Sequence, residues 1–169
     1  MKLPSPFTKD EKLIQIVIET PKGSRNKYVY DPENEYFELK KTLPFGTVFP
    51  FDFGFVPGTL AEDGDPLDVL VLMDYPTFPG CVLKCRCLGV ILAEQTEKRK
   101  KYRNDRILCV SEESLLYSHF KTIKDLPPDM LNEIIEFFTH YNEMAEKKFK
   151  LLQVRNEISA LKVIKTHMV

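Results

Sequence analysis

At 169 residues with a formal net charge of −1, the chain has the length of one domain, residues 1–169, and no overall field to draw nucleic acid. Hydrophobic residues at 43% and charged residues at 29% exclude a disordered chain, and there is no run of 18 apolar residues to span a bilayer. The opening MKLPSPFTKDEK lacks the apolar centre of a signal peptide, so a cytoplasmic protein is expected. Cys81, Cys85, Cys87 and Cys109 form no Cys-x-x-Cys pair and have no histidine at zinc spacing, so they are expected to be reduced thiols packed in a core.

The first two-thirds of the chain reads as strands and turns. KLIQIVIE (12–19) alternates loosely and is rich in Ile and Val, which predicts a strand. NKYVYD and YFELKK flank DPENE as a hairpin. LPFGTVFPFDFGFVPGTL is too dense in Pro and Gly for a long helix and predicts short extended pieces. DVLVLM (68–73) is apolar on both faces, as a central strand would be. CVLKCRCLGVILAEQ and DRILCV (105–110) are further strands, with the basic hairpin tip TEKRKKYRN between them. The last third reads as helical. LPPDMLNEIIEFFTHYNEMAEKK opens on prolines and spaces Leu131, Ile134, Ile135, Phe138 and Met144 helically, and NEISALKVIKTH places Ile158, Leu161 and Ile164 on one stripe. Strands first and helices last predict an α+β, mostly β domain with a closed or twisted antiparallel sheet.

AEDGDPLDVLVL crowds Asp63, Asp65 and Asp68 at the start of that central strand. Gly64 frees the backbone and Pro66 fixes a turn, so the three carboxylates can converge at one strand end. Such a cluster raises its own pKa values unless cations enter, and hard oxygen donors suit Mg²⁺, Mn²⁺ or Ca²⁺. The competing reading is a solvated loop whose acids cap turns. An EF-hand is excluded, because its sixth and twelfth positions, counted from Asp63, hold Asp68 and Asp74 rather than Gly and Glu. What remains is a carboxylate site for phosphate chemistry, with Lys27, Lys41, Arg106 and Lys148 as candidate partners for the anion.

DGDPLDVLVL resembles the signature of family I soluble inorganic pyrophosphatases. VIETPKGSRNKYVYD, FPFDFGFVPGTL, YPTFPGCVLKCRCLGVI and FFTHYNEMAEKKFK resemble further segments of that family, in the same order, from about residue 12 to the C-terminal helix. The resemblance implies a five-stranded OB-like β-barrel flanked by C-terminal helices, in the short bacterial-type form, commonly a homohexamer. It implies metal ligation by Asp63 and Asp68, with Asp65 at the metal site as the group that takes the proton from the attacking water, and Glu19 as an outer acid near a further Mg²⁺. It implies two or more Mg²⁺ ions, with Mn²⁺ as a substitute, and phosphate contacts from Lys27, Lys41, Arg106, Tyr141 and Lys148. Pyrophosphate is the implied partner, with no nucleic acid and no membrane.

The outer positions depart from the family pattern. Val29 stands where the family has an acid, and Phe49 and Phe53 replace two tyrosines. Gln95 or Glu94, and then Asn104, fall where two aspartates are expected, with Asp105 as a neighbouring replacement ligand. Asn142 replaces a lysine. Three readings follow: hydrolysis of inorganic pyrophosphate, a catalytically weakened relative that binds metal and pyrophosphate, and hydrolysis of another diphosphate.

Overall fold

The structure, a computed structural model, describes residues 2–169. Strands β1 (Ile14–Thr20), β4 (Asp52–Phe55), β5 (Asp68–Leu72), β8 (Arg106–Ser111) and β6 (Val82–Glu97) pair in that order, and β1 also pairs β6, which closes a ring of five. This is the mostly β barrel expected from the sequence. β2 (Asn26–Asp31) and β3 (Tyr36–Thr42) form the expected separate hairpin. β7 (Lys100–Arg103) folds back on the end of β6 through Lys98 and Arg99, both at positive φ, the geometry of a tight hairpin turn.

Ring closure depends on β6. Its 16 residues carry register shifts between Cys87 and Gly89 and between Leu92 and Ala93. Such bulges bend a strand, so one segment serves β1, β8, β7 and β9 (Lys148–Asn156) in turn. The β5–β8 pair is parallel, whereas the other barrel pairs are antiparallel. β5 is buried on both faces: Val69 and Val71 pack with β1 and with Ala160 and Ile164, while Leu70 and Leu72 pack with Phe49, Phe53, Ile134 and Phe138. The two-sided apolar reading of DVLVL therefore holds. The four cysteines are free, with Cys85, Cys87 and Cys109 buried.

Helix α1 (Pro128–Glu143) begins on Pro127 and Pro128, where the missing N–H groups would have had no intrahelical acceptor. The predicted helical last third is interrupted. After α1 the chain turns through Glu146, at φ 57°, into β9, and α2 (Glu157–Thr166) follows directly. β9 exists through its ladder with β6, a long-range contact that its KFKLLQVRN pattern does not announce, since Leu151 and Leu152 are both exposed. The α2 stripe is also displaced: Ala160 and Ile164 are buried, whereas Ile158 is exposed. Among the described residues, no helix is long and apolar enough to cross a membrane.

Gly54 of β4 is the antiparallel partner of Ile18 in β1. A Cβ there would sit 2.1 Å from the Val17 carbonyl oxygen, backbone against backbone. Gly54→Ala should therefore cost about 1–3 kcal/mol, the usual range for overpacking. Urea denaturation followed by circular dichroism will read this as a lowered midpoint, and an unchanged midpoint would mean the β1–β4 contact yields freely.

Candidate active site

The aspartate loop is fixed from below. The buried Thr59 hydroxyl donates to the Val56 carbonyl at 2.7 Å and accepts the Leu67 N–H at 3.0 Å, closing the loop at its base. Above it, Ala61 N–H donates to the Asp65 carbonyl at 2.7 Å, and Gly64 turns the chain at φ 92°. The Asp65 N–H donates to Asp63 Oδ1 at 3.2 Å. Asp68 then opens β5, directly opposite Arg106, which opens β8 in the parallel pair. Their side chains meet as an ion pair, Arg106 Nη1 to Asp68 Oδ2, at 2.9 Å.

Arg106 is 4% exposed and densely held. Its Nη1 donates to the Asn104 carbonyl at 2.9 Å and to the Asn104 side-chain oxygen, and its guanidinium lies 5.0 Å over the Phe138 ring. Its Nε is buried without a partner among the described residues. The other cations come from the hairpin, where Lys27 and Lys41 are cross-strand partners at the register shift. The Thr20 hydroxyl ties that hairpin to β1, accepting the Tyr28 N–H at 3.1 Å and donating to the Tyr28 carbonyl at 3.2 Å. Lys41 Nζ lies 4.3 Å from the Tyr141 ring centroid, and Lys27 Nζ lies 5.0 Å over Phe53 and 5.5 Å over Tyr141. Phe49 and Phe53 are buried core residues that back this wall with apolar surface where tyrosines would bring hydroxyls.

These groups line one cavity of about 230 Å³, bounded by Lys27, Lys41, Asp63, Asp65, Asp68 and Arg106 and closed by Tyr141. Glu19 lines an adjoining pocket that shares Lys27, Asp65 and Asp68 with it. Its Oε1 accepts the Tyr30 N–H at 2.8 Å. Burial pushes the Glu19 carboxyl up to about 7, with Asp68 and Asp65 adding to the rise and Lys27 and the Tyr30 N–H opposing it. Asp63 is raised for the same first reason, reduced hydration, and then by Asp68 and Asp65, against the Asp65 N–H and Arg106. Burial opposes the charge on Lys27, but Tyr141, Asp68 and Glu19 outweigh it, so its ammonium keeps its proton above the ordinary lysine value.

The structure thus brings Glu19, Lys27, Lys41, Asp63, Asp65, Asp68, Arg106 and Tyr141 together, and it leaves out two residues predicted for the site. Asp105 points the other way along the strand. Its Oδ1 accepts the Ala93 N–H at 3.0 Å and a bond from Arg103 at 2.8 Å, and it lines a separate pocket with Arg155 and Lys162. Strand alternation is the reason: Asn104 and Arg106 face the cavity, so Asp105 between them cannot. Lys148 is exposed at the start of β9 and does not line the cavity. The turn after α1 sends Lys147 there instead. Of the pair at the first metal-loop position, Gln95 lines the cavity while Glu94 pairs with Lys101 at 3.4 Å.

Sequence reasoning missed a polar network on the cavity wall. Asn104 Nδ2 donates to Gln95 Oε1 at 2.9 Å, and Gln95 Nε2 donates to the Tyr102 hydroxyl at 2.8 Å. Tyr102 donates to Glu97 Oε2 at 3.1 Å, and Lys147 Nζ lies 3.0 Å from the same oxygen. The residue-2 period of β6 carried the signal for Gln95 and Glu97, which share one face.

Among the described residues, no three His, Cys, Asp or Glu side chains close into a ready-made metal cage. The donor set nevertheless suits hard cations. Asp63, Asp65 and Asp68 line one cavity, and burial, with their mutual repulsion added, leaves Glu19 and Asp63 with raised pKa values, the state that added positive charge relieves.

The comparisons agree with this architecture. Residues 16–169 match the Pyrophosphatase family, inorganic pyrophosphatase. An inorganic pyrophosphatase of Synechocystis sp. is 43% identical over 140 residues, 83% of this chain and 80% of the relative. One from Methanosarcina mazei is 42% identical over 149 residues, 88% of this chain and 86% of the relative. The crystal structure of inorganic pyrophosphatase from Thermus thermophilus superposes with a TM-score of 0.88 at 36% identity, covering 98% of this chain and 94% of that one. The chain belongs to the inorganic pyrophosphatase family.

Glu19 gives a signed pH dependence. With its pKa raised from 4.5 to about 7 in the fold, its proton contributes stability that is fully present below pH 4.5 and lost as pH rises through about 7. In EDTA, Glu19→Gln should therefore gain stability relative to the wild type between pH 5 and pH 8. Paired thermal melts at the two pH values test this, and an equal difference at both would mean Glu19 is not desolvated.

Proposed function

We propose that the chain hydrolyses inorganic pyrophosphate to two phosphates in the cavity between the aspartate loop and the Lys27–Lys41 hairpin, acting as a single domain over residues 1–169. The observation that carries the assignment of roles is the state of the three aspartates. Asp68 is tied to Arg106 and Asp63 accepts the Asp65 N–H, while the Asp65 carboxylate makes no hydrogen bond or ion pair among the described residues. Asp65 is the carboxylate free to take a proton.

Pyrophosphate enters with its phosphates against Lys27, Lys41 and Arg106, where fixed positive charge offsets the oxygens' negative charge. Tyr141, whose ring both ammonium groups lie over, helps hold them in place and offers its hydroxyl. A water in line with one phosphorus forms the new P–O bond as the bridging P–O bond breaks. Asp65 accepts the water's proton, and the leaving phosphate keeps the electron pair of the broken bond under the charge of the lysines. Mg²⁺, or Mn²⁺ in its place, would be held by Asp63, Asp65 and Asp68 with Glu19 at the edge, and would supply acidified water and further charge neutralisation. Asp65→Asn should lower phosphate release at saturating Mg²⁺ by at least roughly 100-fold, the lower end for loss of a general base. A folded variant that keeps wild-type turnover would remove Asp65 from that role.

The setting is cytoplasmic, with no nucleic-acid or membrane partner. The chain assembles as a homo-oligomer, a hexamer by analogy with its family. Tyr75, Phe78, Leu115 and Leu116 are all exposed, and Asp74 draws the two loops that carry them together by accepting the Leu115 and Leu116 N–H groups at 3.0 and 3.2 Å. Light scattering should give a mass of six chains, and Leu115→Glu should reduce it. A monomeric wild type would overturn the assembly.

A further inference from the structure

Lys147 and Glu97 belong to the cavity, yet the mechanism above uses neither. Both line it, alongside Lys27, Lys41 and the aspartates. Lys147 reaches it through an unusual piece of chain. After α1, the Ala145 and Lys147 N–H groups both donate to the Asn142 carbonyl at 2.9 Å, and Glu146 adopts φ 57°. This fold-back sets Lys147 beside Asn142. Asn142 lines the cavity but brings no charge to it: it is 2% exposed, and its Nδ2 already donates to the Phe138 carbonyl at 2.8 Å within the helix. An amide therefore occupies the helix position, and an ammonium comes to the same cavity from five residues further on.

That ammonium is already engaged, 3.0 Å from Glu97 Oε2. The pair is partly exposed, at 29% for Lys147 and 37% for Glu97. Ion pairs of this exposure hold weakly. A phosphate group of pyrophosphate accepts the same kind of charge-assisted bond as a carboxylate and carries more negative charge. Glu97 would not be stranded by the loss, because the Tyr102 hydroxyl still donates to it at 3.1 Å.

We propose that Lys147 is a substrate-binding residue of this chain, held on Glu97 before substrate enters and transferred to a phosphate of the entering pyrophosphate. The pair is an exchangeable clasp: Glu97 competes with substrate for the ammonium and takes it back when phosphate leaves. The proposal rests on the pyrophosphate reading, and it predicts a sign that a purely structural ion pair does not. Deleting either partner of a structural pair has one and the same effect. Deleting either partner of a clasp has opposite effects on the anion.

The test uses the full chain with saturating Mg²⁺ and reads both hydrolysis and calorimetric binding of methylenediphosphonate, which is not cleaved. Lys147→Gln should raise the KM for pyrophosphate and the Kd for the analogue about tenfold, the value of one charge-assisted bond. Lys147→Arg should recover most of that loss. Glu97→Gln should tighten analogue binding a few-fold, because the ammonium no longer has a competing carboxylate. The clasp is overturned if Lys147→Gln leaves analogue affinity unchanged, if Glu97→Gln weakens it alongside Lys147→Gln, or if the wild type does not bind the analogue. A wild type that binds the analogue with this pattern but releases no phosphate would uphold the clasp and overturn the hydrolytic reading.

Discussion

The Asp68–Arg106 ion pair is the contact around which the site is organised. It joins the first residues of the two parallel strands, at 2.9 Å, with the guanidinium almost fully buried. A buried charge of this kind is tolerated only when partnered, and removing one member of such a pair typically costs about 3–5 kcal/mol. The pair therefore locks the position of β5 relative to β8. Everything else is placed from there. Asp63 and Asp65 hang from the loop that leads into Asp68, Asn104 just before Arg106 bonds both it and Gln95 of β6, and Phe138 lies under the guanidinium and ties α1 to it. One ion pair thus joins the acidic wall, the amide network and the helix that carries Tyr141.

The acidic core was legible because it is local. Three aspartates within six residues, a glycine able to take positive φ and a proline fix a turn before any long-range contact is considered. The barrel and the hairpin were legible from period-two patterns and turn residues. What stayed hidden depended on phase. Asp105 looked available, but the cavity takes alternate residues of β8 and its approach, so Asn104 and Arg106 enter and Asp105 turns to Arg103. Lys148 and Lys147 are adjacent in sequence, and only the Glu146 turn decides which of them faces the site. β9 lies in the last third, which reads as helical, because the strand is stabilised by its ladder with β6 and has no alternation of its own.

The amides at Gln95 and Asn104 change the electrostatics of the cavity rather than its shape. They donate and accept along a chain from Arg106 to Tyr102, so each is satisfied by its neighbours. Carboxylates at both positions would leave that chain short of donors and would add two negative charges next to Asp68. With amides, four acids, Asp63, Asp65, Asp68 and Glu97, face four bases, Lys27, Lys41, Arg106 and Lys147. The cavity reaches formal neutrality through protein cations. Substrate charge then has to be met by those cations and by metal held on the aspartate loop, where Asp63, and Glu19 in the adjoining pocket, keep raised pKa values.

Burial separates the two ion pairs of the cavity into different roles. Arg106 is almost fully buried and Asp68 mostly so, at 4% and 22% exposed, so parting them without a replacement partner is costly and this pair is the more persistent of the two. Lys147 and Glu97 are about one-third exposed, water screens both, and Tyr102 keeps a bond to Glu97 when the lysine moves. The first pair holds two strands in register, and the second sits at the end of a hairpin and a turn, where a side chain can swing without disturbing the barrel. A site that must hold a highly charged anion and then release two smaller ones gains from having both kinds. Fixed charge sets where the substrate sits, and exchangeable charge lets part of the grip relax when the products separate.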